Sequence, residues 1–263
     1  MELGLHDKVC VVTAASKGIG YAIAAELLRE GAYVVICSRD RERIARAAAT
    51  LEAETGRPVA LALEADVSQR EAIQRLVAEV ERRFDRVHAL VLNAGGPPSG
   101  PFASFSDEAW EQAFRTNLLS AVRLVREFLP LLRRAGGARI VAVASSSVKE
   151  PIPGLALSNV MRAGVQGLMK TLAVELGPEG ILVNTLCPGR IATDRLRELD
   201  EARAAREGRS REAVQREMEG AIPLGRYGTP GEFARVAAFL LSEANTYVTG
   251  QTLLIDGGLV KAF

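Results

Sequence analysis

The turn Thr13-Ala14-Ala15-Ser16-Lys17-Gly18-Ile19-Gly20 follows a short apolar run and opens a helical pattern. Glycines in such a turn let the backbone come close to a pyrophosphate. Free N–H groups and the helix dipole at a helix N-terminus favour that negative charge. Taken alone, the glycine pair also suits a plain tight turn. Other reactive residue types narrow the field. The chain has only two histidines, His6 and His88, so a histidine-based metal site is not expected. Cys10, Cys37 and Cys187 are isolated, which gives neither a disulfide framework nor a paired-cysteine site and fits a reducing cytosol.

The elements that must position this turn are readable from periodicity. Lys8 to Thr13 reads as a buried strand, and Gly18 to Glu30 as a helix with Ile19, Ile23 and Leu27 on one face. Tyr33 to Cys37 is a second strand, followed by a helix from Asp40 to Thr55 capped by Asp40. Val59 to Leu63 is a third strand. Ser68 to Phe84 is a third helix, with Ser68 and Glu71 in capping-box spacing. Val87 to Leu92, Ala138 to Ala144, Ile181 to Leu186 and Leu253 to Ile255 read as further strands. Near-continuous apolar strands alternating with helices predict an α/β, Rossmann-type doubly wound parallel sheet, three-layer αβα, in one domain over 1–263. Asp194 to Glu219 is dense in charge and poor in strong apolar positions. It predicts a mobile helical excursion, a lid over 194–228, on the side where open α/β sheets bind ligands.

Composition excludes other classes. At 48% hydrophobic and 25% charged, the chain is an ordinary soluble globular protein, long enough for a sizeable core. A net charge of +1 gives no footprint for nucleic acid or for an anionic membrane. No apolar stretch reaches membrane-span length, and MELGLHDKVCVV lacks the apolar core of a signal peptide. A cytoplasmic protein is expected.

Spacing along the whole chain adds to this reading. Asp66-Val67 follows the third strand and Asn93-Ala94-Gly95 the fourth. Asn117 lies in the next helix, Ser145 ends the fifth strand, and Pro188-Gly189-Arg190-Ile191-Ala192-Thr193 follows the sixth. GRYGTPGEFA spans 225–234, and GQTLLIDGG spans 250–258. In this order the chain resembles the short-chain dehydrogenase/reductase family, above all its bacterial 3-oxoacyl-[acyl-carrier-protein] reductases. The resemblance implies a nicotinamide dinucleotide cofactor. Gly18, Ile19 and Gly20 would line the pyrophosphate, with Thr13, Ser16 and Lys17 in the same turn. Asp66 and Val67 would contact the adenine, and Asn93, Ala94 and Gly95 the adenosine side. Pro188, Gly189, Ile191 and Thr193 would hold the nicotinamide. Ala14 departs from the glycine usual in the family, and its methyl disfavours positive φ. The resemblance also implies a homotetramer packed through Leu253 to Phe263.

The second strand bears on which dinucleotide. An acidic residue at its end would bind the 2′-hydroxyl of NAD. This strand ends Cys37-Ser38-Arg39-Asp40. Serine leaves room for a 2′-phosphate, and arginine pairs with one through two parallel hydrogen bonds. Lys17 is a second cation for the same phosphate, and Asp40 is a competing partner for Arg39. NADP(H) is therefore favoured over NAD(H).

The catalytic residues that the resemblance implies are only half present. In that family a serine after the fifth strand polarises the substrate carbonyl. A tyrosine in a YxxxK pair donates the proton, its lysine binds the nicotinamide ribose, and an asparagine completes a relay. Asn117 and Ser145 match, with Ser146 and Ser147 as neighbouring alternatives. The next helix puts Ser158 at the tyrosine position and Arg162 at the lysine position. The four tyrosines are Tyr21, Tyr33, Tyr227 and Tyr247, so none between 34 and 226 restores the pair. Tyrosine titrates near ~10, whereas a serine hydroxyl is a far weaker acid and needs a partner base. Arginine does not readily lose its proton. One helical turn apart, Arg162 is within reach of Ser158 and of the ribose.

Three readings follow. The first is an NADP(H)-dependent reductase of a ketone or 3-oxoacyl group, its proton supplied by Tyr227, by Lys149 or by a water held by Ser158 and Asn117. The second is a catalytically silent dinucleotide-binding protein, a sensor or oligomer partner. The third keeps the fold and uses Arg162 to clamp a carboxylate or phosphate in an elimination or isomerisation. The expected partner is a small-molecule carbonyl or acyl thioester, with no nucleic acid and no membrane. Gly96-Pro97-Pro98-Ser99-Gly100-Pro101 reads as a rigid turn beside the pocket. Trp110, Phe102, Phe105 and Phe114 read as helix packing.

Overall fold

Strands built almost wholly from Val, Ile, Leu, Ala and Cys cannot leave either face in water. In the computed structural model, which describes residues 2–262, they are covered on both faces. The strands are β1 (Val9–Val12), β2 (Tyr33–Ser38), β3 (Leu61–Glu64), β4 (Ala89–Leu92), β5 (Arg139–Val143), β6 (Leu182–Pro188) and β7 (Thr252–Ile255). They form one parallel seven-stranded sheet in the order β3-β2-β1-β4-β5-β6-β7. Strand order reverses between β1 and β4, which opens a crevice beyond their carboxyl ends. The edge strands β3 and β7 are exposed or half-buried along their length, whereas the inner strands depart from full burial only at their ends, as at Tyr33.

Helices α1 (Gly18–Arg29), α2 (Arg41–Thr55) and α9 (Pro230–Leu241) pack one face through Ile23, Leu27, Ile44, Leu51 and Phe233. Helices α3 (Arg70–Arg83), α5 (Ser120–Arg134) and α6 (Ala156–Leu176) pack the other through Ile73, Leu76, Phe128, Val165 and Met169. This is the three-layer arrangement expected. No helix among the described residues is long and apolar enough to cross a membrane. Phe263, the end of the C-terminal segment singled out in the sequence, lies outside the described residues.

Local details differ from the sequence reading. β3 starts two residues later than Val59, because the Val59 N–H is taken by Glu52 Oε1 at 3.0 Å before the chain joins the sheet. Asp40 does cap α2, accepting from the Arg43 N–H at 2.9 Å. The Ser68–Glu71 capping box does not form. A turn at Asp66 takes the Ser68 N–H onto its own carboxylate at 2.9 Å, and α3 starts at Arg70 instead. A capping box appears where none was expected, between Thr229 and Glu232 at the start of α9. Of the four aromatics read as helix packing, Phe105 and Trp110 pack on Leu157 and Met161, while Phe102 and Phe114 are exposed.

The charged stretch after β6 folds as α7 (Asp194–Glu207) and α8 (Arg211–Ala221). Its few apolar residues are supplemented by a buried ionic knot. Asp200 of α7, 4% exposed, accepts from Arg190 at 2.7 Å and from the Tyr227 hydroxyl at 2.9 Å. The Arg190 guanidinium also lies 5.7 Å from the Tyr227 ring centroid. Backbone bonds between Arg190, Ala192 and Gly228 close the same junction. Removing one partner of a buried pair leaves the other uncompensated, which is costly. Asp200→Ala is therefore expected to speed proteolytic cleavage within 194–228 by about tenfold or more while the sheet stays folded. An unchanged cleavage rate would show that the knot does not hold α7.

Candidate active site

The glycine turn is set by contacts at the end of β4. Thr13 Oγ1 donates to Asn93 O at 2.7 Å and accepts from Asn93 N at 2.9 Å. The Asn93 side chain donates to Ala14 O at 3.2 Å and Thr13 O at 3.3 Å. A Cβ on Gly20 would lie 2.6 Å from Asn93 Nδ2 and 2.7 Å from Ala14 O, so only glycine fits. Ala14 adopts φ +49°, the left-handed region, despite its methyl. That conformation costs an alanine about 1–2 kcal/mol, and the Asn93 bond helps to hold it. The turn keeps its shape at the position where glycine was expected.

One end of the cleft lies over β2. Ser38 is buried and donates to Asp40 O at 3.1 Å. Asp40 pairs with Arg43, not Arg39, at 3.1 Å. Arg39 and Arg43 both border the cleft beside Ser38, Asp66 and Val67. Arg43 escaped the sequence reading; it stands in the first turn of α2, while Arg39 lies in the bend before the helix. Lys17, expected to serve the same end, points across the cleft instead, 3.6 Å from Asp194 and 4.0 Å from Glu198.

The floor lies between β4, β5 and α6. Helix α4 (Asp107–Ala113) continues into α5 through a π-turn at Phe114–Leu119, and that turn carries Asn117. Such bulges re-aim a side chain. Asn117 donates to Ala113 O at 3.2 Å, but its buried Oδ1 has no partner. Ser145, just past β5, accepts from the Ser147 N–H at 3.1 Å. Ser145 and Ser146 border the cleft, and Ser147 does not. Ser158 borders it half-buried.

Arg162 differs from expectation. It does not hydrogen-bond Ser158. It reaches under the floor and donates to Val143 O at 2.9 Å and Ala94 O at 3.2 Å. It is 7% exposed, and no carboxylate among the described residues comes within ion-pair range. Burial holds its pKa down at about 10, against an opposing pull from Cys187 and with a smaller lowering from the Arg195 charge. It remains charged at neutral pH.

The other wall is Gly96–Ser99, Pro151–Leu155 and α7, and Arg195 joins α7 to the first of these through Pro97 O at 2.7 Å. Pro188, Gly189, Ile191 and Thr193 line the cleft, and Thr193 caps α7 by accepting from Leu196 N at 3.3 Å. Gly189 is packed so tightly that a Cβ there would lie 2.5 Å from Asp256 Cβ. Neither Tyr227 nor Lys149, the side chains considered as proton donors, borders the cleft. Tyr227 is spent on Asp200, and burial followed by that bond pushes its pKa up to about 12.

The cleft encloses about 1080 Å³. Cations stand at the β2 end, a Cβ-free turn at the middle, and hydroxyl and amide groups at the far end. A dinucleotide fits this sequence of environments: anionic where the cations are, close to backbone at the glycines, polar at the floor.

Comparison with known proteins agrees. A family model described as Enoyl-(Acyl carrier protein) reductase matches residues 13–260. Dehydrogenase/reductase SDR family member 4 of Homo sapiens is 34% identical over 255 residues, which is 97% of this chain and 88% of that protein. The 3-oxoacyl-[acyl-carrier-protein] reductase FabG of Pseudomonas aeruginosa is 35% identical over 257 residues, 98% of this chain and 99% of that one. The L-sorbose reductase of Gluconobacter frateurii, solved with NADPH and L-sorbose, covers both chains fully with a TM-score of 0.94 at 31% identity. An actinorhodin polyketide ketoreductase solved with NADPH gives 0.91 at 34% identity, over 96% of this chain and 97% of that one. Sheet order, glycine turn and full-length similarity together identify the chain as a member of the short-chain dehydrogenase/reductase family of oxidoreductases.

Proposed function

We propose that this chain is an NADP(H)-dependent reductase of a ketone or 3-oxoacyl group that works without the tyrosine–lysine pair. The observation that carries this reading is a complete dinucleotide-shaped cleft whose lysine position holds a buried, hydrogen-bonded Arg162. Drift at an unused site gives no reason for a guanidinium seated on two carbonyls. Arg39 and Arg43 beside Ser38 suit a 2′-phosphate. Two of the similar solved proteins, the L-sorbose reductase and the ketoreductase, were each solved with NADPH.

When bound, the nicotinamide supplies a hydride to the carbonyl carbon. The chain's residues do the rest. Ser145 donates a hydrogen bond to the carbonyl oxygen and polarises it. Asn117 Oδ1, buried and unpartnered, and the Ser158 hydroxyl hold a water; that water delivers a proton to the oxygen, and the hydroxide left behind is reprotonated by solvent entering the cleft. Arg162 fixes the floor and keeps its own proton. Helices α7 and α8 act as the lid over the substrate. The protein acts in the cytoplasm as a homotetramer on a small carbonyl or acyl-thioester substrate.

General acid catalysis is worth about 10²–10⁴ in rate. NADPH oxidation should therefore be measurable but slow against a broad carbonyl panel that includes acyl thioesters. Saturating NADPH with no turnover above background would contradict the reading. The double variant Ser158→Tyr with Arg162→Lys should raise kcat by about 10²-fold or more on the substrate found. Ser158→Tyr alone should gain less, because Arg162 stays committed to the carbonyls. A repaired enzyme no faster than wild type would mean that the missing acid does not limit the rate.

A further inference from the structure

One end of the cleft has a buried positive charge with no carboxylate paired to it among the described residues. Arg162 is buried, and both of its bonds go to carbonyl oxygens, which carry no formal charge. The acids around it are committed elsewhere. Asp200 is held by Arg190 and Tyr227, and Asp194 faces Lys17. Asp256 accepts from the Gly258 and Val260 N–H groups, and Glu150 is exposed at the mouth. The nearby Cys187 thiol stays neutral, because burial pushes its pKa up to about 11. Arg195 brings a second cation from α7, with its own partner Glu198 3.6 Å away. Solvent screening is weak at such a site, so the residual charge acts strongly on whatever lies over it.

We propose that Arg162 makes this chain discriminate the redox state of its cofactor, binding NADPH more tightly than NADP⁺. The proposal rests on the reading of the cleft as a dinucleotide site with its nicotinamide end over the Ser145–Arg162 floor. An oxidised nicotinamide ring carries a positive charge and a reduced one carries none. Adenine, 2′-phosphate and pyrophosphate are the same in both forms, so their contacts cancel in the ratio of affinities. What remains is the interaction of the ring charge with the floor. Unit charges several ångströms apart at a protein-like dielectric repel by enough to change affinity about tenfold or more. Such a preference favours loading of the reduced form and release of the oxidised form, which suits reduction over oxidation.

Calorimetric titration of the wild-type chain with NADPH and with NADP⁺ tests this. The Kd for NADP⁺ should exceed that for NADPH by about tenfold or more. Arg162→Lys, which keeps the charge, should keep the ratio. Arg162→Gln, which keeps hydrogen-bonding capacity without charge, should bring it close to one. A wild-type ratio near one, or an unchanged ratio in folded Arg162→Gln, overturns the proposal. Should Arg162→Gln not fold, Arg162→Met takes its place, because a ratio close to one supports the charge argument and an unchanged ratio overturns it. Binding of neither form would refute the dinucleotide reading itself, whereas equal binding of both refutes only the charge argument.

Discussion

A guanidinium without a carboxylate partner ties the cleft together. Arg162 leaves α6, passes beneath the floor and bonds the carbonyls at the ends of β5 and β4. Val143 is the last residue of β5, and Ala94 lies two residues past the end of β4. A buried polar group left unpaired is costly, and a buried charge more so. Arg162 and the two carbonyls satisfy one another, which fixes α6, and with it Ser158, against the sheet. A lysine could bring the charge but not the planar fork that spans two acceptors. The residue at this position is therefore a structural brace and a local electrostatic source together.

The glycine turn shows the same logic at the other half of the cleft. Thr13 and Asn93 bind each other's backbone across β1 and β4, and Asn93 holds Ala14 O. Gly20 has no room for a Cβ because that asparagine is there. Ala14 then accepts a left-handed conformation that a glycine would take without strain. The Asn93 contacts offset that strain. The departure from glycine at position 14 is thus compatible with an intact turn.

How much of this was readable in advance depends on the range of the interactions. Buried strands announced themselves, since a parallel sheet covered on both faces needs uninterrupted apolar runs. Edge strands were blurred, and β3 starts two residues after Val59 because the Val59 N–H goes to Glu52 rather than to the sheet. The residues of the candidate site were visible through motif spacing, but several of their partners were not. Arg162 is held by backbone carbonyls 19 and 68 residues away, which no side-chain pattern reveals. Tyr227 was captured by an aspartate 27 residues away, and Lys17 by acids of α7. Arg43 left one usable trace, its place in the first turn of a helix that follows directly on Ser38 and Arg39. The Ser68–Glu71 box failed because a nearer aspartate competed for the same N–H group.

The central claim is reduction without an ionising side-chain acid, and the pH dependence of kcat tests it most directly. With the nearest tyrosine tied to Asp200 and held at about 12, and Arg162 near 10, no group at the floor titrates around neutrality. With a water as proton donor, kcat should stay flat between about pH 7 and 9, below those two values. An apparent pKa inside that window would contradict the account, because it would assign the proton to a titrating side chain.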